Sequence, residues 1–461
     1  MTSGPVQPGD NPPANALGTG GIGSLLAHYS IPAIIGTAAA SLYNIIDRVF
    51  IGHAVGPMAI SGLALTFPLM NLAAAFGAVV GVGSGALVSI RLGQQRRMEA
   101  NAILGNMIFL NVVLSISYSV LSLVFLDRIL GFMGASPETL PFAKQFMQVI
   151  LAGNLFTHLY LGMNNVMRAS GYPRKAMLTT LVTVGVNVVL APLFIFGFRW
   201  GIRGAALATV CAQIMGTAWA LGHFTRPTSL VRLHLAACFQ PRLKIILGIF
   251  SIGMSTFVML VGASVITAMV NLRLGRYGGD YAIGAFGIIN ALAGLFIMIT
   301  VGVNMGMQPI SGYNFGAGKF DRVTRVFRMA VLAATCITTC GFCLGELFAR
   351  QVAGAFTRDP ELIRRTVIGL RFTFVMYPIV GFQMVTSTFF QSIGRAKISL
   401  VLSLSRQVLF LIPFLILLPL CWGLNGVWVA EPMADFTASI TTFLVLRFQL
   451  RKVWPLVNAT A

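Results

Sequence analysis

The chain reads as long apolar runs separated by short polar interruptions. Twelve runs stand out, at roughly 25–52, 60–90, 101–126, 140–167, 176–198, 203–224, 243–273, 281–311, 324–347, 362–390, 397–420 and 424–447. Each meets the requirement of about 20 mostly apolar residues for a helix that crosses a bilayer. The interruptions alternate in charge. Those after even-numbered spans are short and basic: "RLGQQRR" (91–97), "RASGYPRK" (168–175), "RPTSLVRLHLAACFQPRLK" (226–244), "GKFDRVTR" (318–325) and "GRAK" (394–397). Those after odd spans are mixed or uncharged. Basic loops stay inside, so both termini and every even connection are expected in the cytoplasm. One connection strains this scheme. The stretch 350–365 falls outside the membrane yet carries four arginines, which Asp359 and Glu361 offset only in part.

The two halves repeat each other at an offset of 221–223 residues. "GVGSGALVSIRLGQQRRMEA" (81–100) lies against "GVNMGMQPISGYNFGAGKFDRV" (302–323), and "WGIRGAALA" (200–208) against "WGLNGVWVA" (422–430). Six spans return the chain to its starting side, so the halves run parallel and are related by an axis along the membrane normal. The expected fold is an all-α polytopic membrane protein, with twelve transmembrane helices in two six-helix bundles related by a pseudo-two-fold. The expected division is a disordered cytoplasmic tail over 1–23, bundles over 24–225 and 243–448, a cytoplasmic linker over 226–242 and a tail over 449–461. Two bundles facing each other across a cavity suit alternating access.

Composition narrows the class. The chain is 56% hydrophobic and 10% charged, with mean hydropathy +0.83. A soluble domain carries about 25% charged residues. The net charge of +20 is spread over short loops and reads as a topology signal; no basic and aromatic cluster is large enough to hold nucleic acid. The first 23 residues are polar and rich in Pro and Gly, without the basic-then-apolar order of a cleaved signal peptide. The six cysteines lie in or near apolar spans, so no disulfide framework is implied; Cys336, Cys340 and Cys343 share a helix face, where packing outweighs a soft-metal site. "GTGGIG" (18–23) follows no strand, and "FGAGKF" lacks the first glycine and the hydroxyl of a P-loop. With no catalytic constellation and no nucleotide motif, the protein is expected not to be an enzyme, to need no cofactor, and to draw its energy from an ion gradient.

Charges inside the spans then carry the chemistry. In "SLYNIIDRVFIG" (41–52), Tyr43 and Asn44 lie at i−4 and i−3 from Asp47 and share its face, with Thr37 and Ser41 extending a polar stripe. Such a stripe normally faces the bundle interior or a wet cavity. Arg48 lies about 100° around the helix and need not pair with Asp47. Two readings of Asp47 stand: an ion-exchanging carboxylate, or a solvated acid near the outer interface. The second half has no acid in its seventh span. It places Arg406 in the eleventh and Glu431 and Asp435 in the twelfth. At 1.5 Å per residue Arg406 and Asp435 both fall roughly 15 Å deep, so an ion pair is expected, with Glu431 one turn from Asp435. Whether that pair is static or takes part in transport stays open. His158, in the fourth span, reads as a packing histidine rather than a proton relay.

These same segments resemble the multidrug and toxic compound extrusion (MATE) family of bacterial type. "YNIIDRVFIG" with "GPMAISGLALTFPL" resembles its first two helices. "RASGYPRKAM", "QPISGYNFGAGKFDRV" and "NVVLAPLFIFGF" leading into "GIRGAALATVCAQ" are similar to later ones, from about Ser24 to Phe448. The resemblance implies an antiporter of the bacterial inner membrane that expels amphiphilic, often cationic drugs in exchange for protons or sodium. It places a functional acid at Asp47, a helix-bending proline at Pro32, and polar partners at Asn187 and Thr209, the three of them forming a sodium site if sodium is the ion. For Pro32, Asn187 and Thr209, ordinary membrane packing stands beside these roles. This chain departs from the family at "NVVLAP", where Ala191 stands in place of an aspartate; the loss favours proton coupling. A lipid-linked precursor flippase is the alternative, disfavoured because Arg406 is the clearest deep cation. The expected partners are drugs and the bilayer, with no nucleic acid, and the chain is expected as a monomer.

Overall fold

The computed structural model describes residues 15–55 and 57–453. Of the segment expected as a disordered tail, only 15–23 lies within that range, and it is ordered: Asn15–Thr19 is a short helix and Leu17 is fully buried. The tail over 449–461 is likewise shortened, because the last helix continues to Val453.

The first bundle holds α1 (Ile22–Val55), α2 (Pro57–Gly93), α3 (Arg97–Val124), α4 (Leu140–Ala169), α5 (Pro173–Gly197) and α6 (Gly201–Phe224). The second opens with one continuous element, Leu243–Gly316, broken at Gly279 into α7 (243–278) and α8 (280–316). Next come α9 (Phe320–Leu347) and α10, which joins Pro360–Phe374 to Tyr377–Ser392 with a 49° bend. The run from Ala396 to Val453 is broken at Gly423 into α11 (396–422) and α12 (424–453). Both breaks have positive φ, 67° at Gly279 and 55° at Gly423, with ψ values that only glycine adopts readily. Among the described residues, nine helices, or ten counting the bent pair, are long and apolar enough to cross a membrane. Two of these are double-length, and the glycine break in each yields the twelve expected spans. Exposed Val120, Leu121, Leu272, Leu417 and Leu420 are the kind of surface that hydrocarbon covers and water does not.

The bend in α10 has a local cause. Pro378 follows Tyr377 at the start of the second segment, where it removes one backbone donor and crowds the preceding turn. In α11 the residues Ser405–Leu411 widen into a π turn just before Pro413, whose missing N–H leaves a carbonyl to be satisfied otherwise.

Polar residues buried in apolar spans hold the connections down. Asn101 Oδ1 accepts from the Arg232 backbone at 2.9 Å and Asn106 Oδ1 from that of Arg242 at 2.8 Å, so α3 clasps the linker between the bundles. The arginine-rich connection after α9 is partly neutralised where it stands. Asp359 caps the first segment of α10, accepting from the backbone of Glu361 and Leu362 at 2.8 and 2.9 Å. Glu361 in turn pairs with Arg364 at 2.9 Å and Arg365 at 2.8 Å.

The bundles meet most tightly in the halves that carry the basic loops. There α2 lies on α7 so closely that a methyl group on Gly83 would overlap the Ile249 carbonyl. The repeat-related contact sets α8 on α1, where a methyl on Gly306 would overlap Ser30. One apolar core runs through both bundles at this end and includes Leu17, Leu25, Tyr29, Met307, Ile310 and Tyr313. A strap completes the closure. Asn314 and Lys319 donate to the carbonyls of Leu17 and Gly18 at 2.9 and 2.8 Å, and Arg322 to that of Gly20 at 2.6 Å. Towards the other end the contacts between bundles become exposed, as in Asn71 Nδ2 to Ser264 Oγ at 3.4 Å and Ser41 Oγ to Met298 Sδ at 3.3 Å. The cleft is shut at the basic-loop end and open at the other.

Candidate functional site

In the first bundle, three helices bring their polar residues to one point. Asp47 on α1 is 8% exposed, and Tyr43 lies one turn before it on the same face. Thr209 on α6 is the hub. Its hydroxyl donates to the Ala205 carbonyl at 3.2 Å, receives the Asn187 side-chain amide of α5 at 3.2 Å, and lies 3.1 Å from the Tyr43 hydroxyl. The Asp47 carboxylate acts electrostatically on that same tyrosine. The structure thus gathers Asp47, Tyr43, Asn187 and Thr209. Asn44 lies on α1, but its side chain and that of Arg48 fall outside the described residues. Ala191, at the position where an aspartate is missing, is fully buried in the apolar cluster that also holds Ile51 and Ala205. Pro32 is buried in α1 at the opposite, closed end, between Ser30 and Ile34, the two residues on which α8 packs.

One turn along α6 from Thr209, Gln213 is hydrogen-bonded to Thr157 of α4. His158 is fully buried, with Nε2 2.9 Å from the Ala73 carbonyl and its ring against Gly77, a packing role.

The second bundle is built differently. Arg406 Nε donates to Asp435 Oδ1 at 2.6 Å, joining α11 to α12. Asp435 is almost completely enclosed, with 2% of its side chain exposed, whereas Arg406 keeps 26%. Glu431, one turn from Asp435, stands within electrostatic range of both. Tyr377, at the bend of α10, completes the group; it is 4% exposed and stacks on Phe374 at 4.2 Å. Sequence reasoning passed over Tyr377. Its signal was a tyrosine–proline pair in the middle of a span.

A cavity of about 180 Å³ lies against the second bundle, with Val82 and Asn165 of the first bundle also on its wall, and reaches Arg406. Its polar wall includes six carboxamides, Asn165, Asn304, Gln308, Gln383, Gln391 and Gln407, beside as many hydroxyls. Gln391 Nε2 lies 2.8 Å from three oxygens of α7, those of Ile252, Ser255 and Thr256, and Gln407 Nε2 donates to Met259 at 3.1 Å. These residues were also missed. They recur at four-residue intervals, Gln383–Ser387–Gln391 on α10 and Ser399–Ser403–Gln407 on α11, the spacing of one helix face. Among the described residues no group of three or more His, Cys, Asp or Glu is placed to hold a metal ion.

Two six-helix bundles around a cleft, each with its own buried polar cluster, define a polytopic membrane transporter of the two-lobed kind. The particular family follows from comparison. The MatE family model matches residues 32–193 and 255–417, once in each bundle, and the chain belongs to that family. Multidrug export protein MepA of Staphylococcus haemolyticus is 28% identical over 426 residues, covering 91% of this chain and 92% of that one. Among solved structures, a MATE transporter in the bent conformation matches with a TM-score of 0.90 at 25% identity, covering 96% of this chain and 98% of that one. An outward-facing multidrug resistance MATE transporter of the MOP superfamily matches at 0.89 and 25% identity, covering 96% and 99%.

Proposed function

We propose that this chain is a secondary active multidrug efflux antiporter of the bacterial inner membrane. It exchanges protons or sodium for amphiphilic compounds by alternating access. The observation that carries this reading is the buried Asp47, set in a cluster of neutral oxygens on α1, α5 and α6 beside a cleft closed at one end. The family relation supports it: MepA is a multidrug export protein, and MATE transporters stand among the structural matches.

The chemistry follows from the residues. Asp47 is the group that takes the ion. Thr209 accepts from Asn187, which leaves the Asn187 carbonyl oxygen, the Tyr43 hydroxyl and the Thr209 hydroxyl as neutral oxygens near the carboxylate. One acid suffices for a proton. Sodium, a hard cation, would use the same oxygens with half the charge that a second aspartate at Ala191 would supply. Ion occupancy at Asp47 and drug occupancy of the cleft oppose each other, and the lobes reorient between them. Pro32 is the hinge of α1: it lacks the donor that would tie it to the preceding turn, and it sits where α8 presses on α1. Arg406, Glu431 and Asp435 form a second polar site in the other lobe. The basic loops set both termini in the cytoplasm, so the open end of the cleft faces outward. The bundles are the units 24–225 and 243–448, the working form is a monomer, and the partners are drugs and lipid.

Purified protein in proteoliposomes, with a proton gradient or a sodium gradient imposed separately, tests the reading. Export of a fluorescent dye driven by one gradient and not the other identifies the ion. Export driven by neither overturns the proposal.

A further inference from the structure

The cavity, walled mainly by the second lobe, is lined by six carboxamides, six hydroxyls, three methionines, three aliphatic residues and one charged group, Arg406. Among the described residues, no carboxylate and no aromatic ring lines it. An organic cation is held by carboxylates or by the faces of aromatic rings. This wall offers neither and sets a guanidinium against a cation.

Arg406 is arranged to receive something else. Its one hydrogen bond among the described residues runs from Nε to Asp435, which is enclosed behind it. The two terminal amino groups therefore remain for the cavity that the side chain lines. Nη1 and Nη2 together present the fork that matches both oxygens of a carboxylate. Ser403 and Ser387, with hydroxyls 3.0 Å apart, flank the same wall and add neutral hydrogen-bonding groups. Met259, Met305 and Met384 supply an adaptable apolar surface for the ligand's body. The cavity is smaller than the roughly 300–1,000 Å³ that encloses a drug-sized molecule. It therefore takes the head of a ligand whose tail lies in the open cleft.

We infer that this cavity binds the carboxylate of an acidic amphiphile, with Arg406 as its anchor. The inference rests on the efflux reading for its biological direction and names a substrate class for it. Asp435, bonded to Nε and enclosed, offsets the guanidinium and competes for it, and Glu431 adds negative charge one turn from Asp435. They hold the anchor at a moderate strength, so that bound ligand is released. Two opposite effects follow. Removing the guanidinium weakens carboxylate binding, and removing the negative charge behind it tightens that binding.

The test uses the full chain in detergent with no gradient present. The probes are dansyl-labelled aminoundecanoic acid, its primary amide and a trimethylammonium analogue of the same length, each titrated by fluorescence. The carboxylate is expected to bind about tenfold tighter than the other two. Arg406→Gln is expected to erase that advantage while the amide keeps its affinity, Arg406→Lys to restore part of it, and Asp435→Asn to raise carboxylate affinity severalfold. If the ammonium probe binds as tightly as the carboxylate, or Arg406→Gln leaves the carboxylate unchanged, the inference is overturned. It is also overturned if Asp435→Asn weakens binding in step with Arg406→Gln, which marks a purely structural pair. Should Arg406→Gln fail to fold, the Lys and Asn variants still decide. Binding without a gradient is independent of coupling. A failure of ion-driven export therefore leaves this result standing, and a failure here leaves ion-driven export standing.

Discussion

The two lobes share a repeat and a packing scheme, yet their buried polar clusters have opposite designs. The first sets one carboxylate, Asp47, among neutral oxygens from Tyr43, Asn187 and Thr209. The second sets two carboxylates, Asp435 and Glu431, around a guanidinium. A buried carboxylate near neutral oxygens is a group that can exchange an ion. A carboxylate already bonded to arginine at 2.6 Å is held by that cation, and in the proposal the arginine is the group that meets the ligand. In the mechanism proposed above, two repeated frames carry different charges, one lobe serving the coupling ion and the other an anionic ligand.

The largest expected effect comes from erasing the feature that defines the first lobe. Asp47→Asn keeps the size of the side chain and removes its charge. Gradient-driven dye export in proteoliposomes should fall by about 100-fold, while Arg406-dependent binding of a carboxylate probe persists. Full export by this variant would remove the contrast between the lobes. The second effect is on stability. Arg406→Met leaves Asp435 enclosed with no cation, at a cost of about 3–5 kcal/mol; Asp435→Asn costs less, because Arg406 still reaches the cavity. Replacing both by Met and Leu should recover most of the loss in a thermal melt followed by size-exclusion chromatography. If the two single variants melt alike, the asymmetry between an enclosed acid and an accessible base is wrong.

Much of this was legible in the sequence, for a physical reason. A charge in an apolar run is costly enough to stand out, and Asp47, Arg406, Glu431 and Asp435 were found on that ground. Helical rise then placed Arg406 and Asp435 at one depth, and they meet. Neutral polar groups carry no such signal. The carboxamide face of α10 and α11, and Tyr377 at the bend, are affordable in a membrane helix once hydrogen-bonded, so they blend into packing. The ordering of residues 15–23 was illegible for another reason. A Gly-rich segment has little to fold on by itself, and it is held by donors from Asn314, Lys319 and Arg322, some 300 residues away. The span boundaries needed only hydropathy, and the glycines at 279 and 423 mark where two of the long apolar stretches turn.

A smaller effect tests where the lobes are alike. Gly83 and Gly306 occupy repeat-related places on α2 and α8, and each lets a neighbouring helix of the other lobe approach to backbone contact. Adding a methyl to either should force the closed end apart. Gly83→Ala and Gly306→Ala are each expected to lower stability by about 1–3 kcal/mol and to increase thiol labelling of a cysteine placed at Leu17. The two variants should match. A marked difference would mean that the lobes diverge in packing as well as in charge.

The smallest effect is the most discriminating about the ion. Thr209→Val preserves the shape of the side chain and removes the oxygen that receives Asn187 and lies beside Tyr43. The stability cost is about 1 kcal/mol, the net contribution of a typical hydrogen bond. Its consequence for coupling depends on the ion. A proton needs only Asp47, and Thr209 then merely orients the neighbours, so proton-driven export should fall by no more than severalfold. Sodium needs neutral oxygens to complete its shell, and losing one of three beside a single carboxylate should weaken it far more. The ratio of proton-driven to sodium-driven export, measured in Thr209→Val and in Thr209→Ser, therefore separates the two. Serine restores the oxygen and should restore whichever activity valine removed. If valine and serine behave alike under both gradients, Thr209 is a packing residue and the first lobe's cluster reduces to Asp47 and Tyr43.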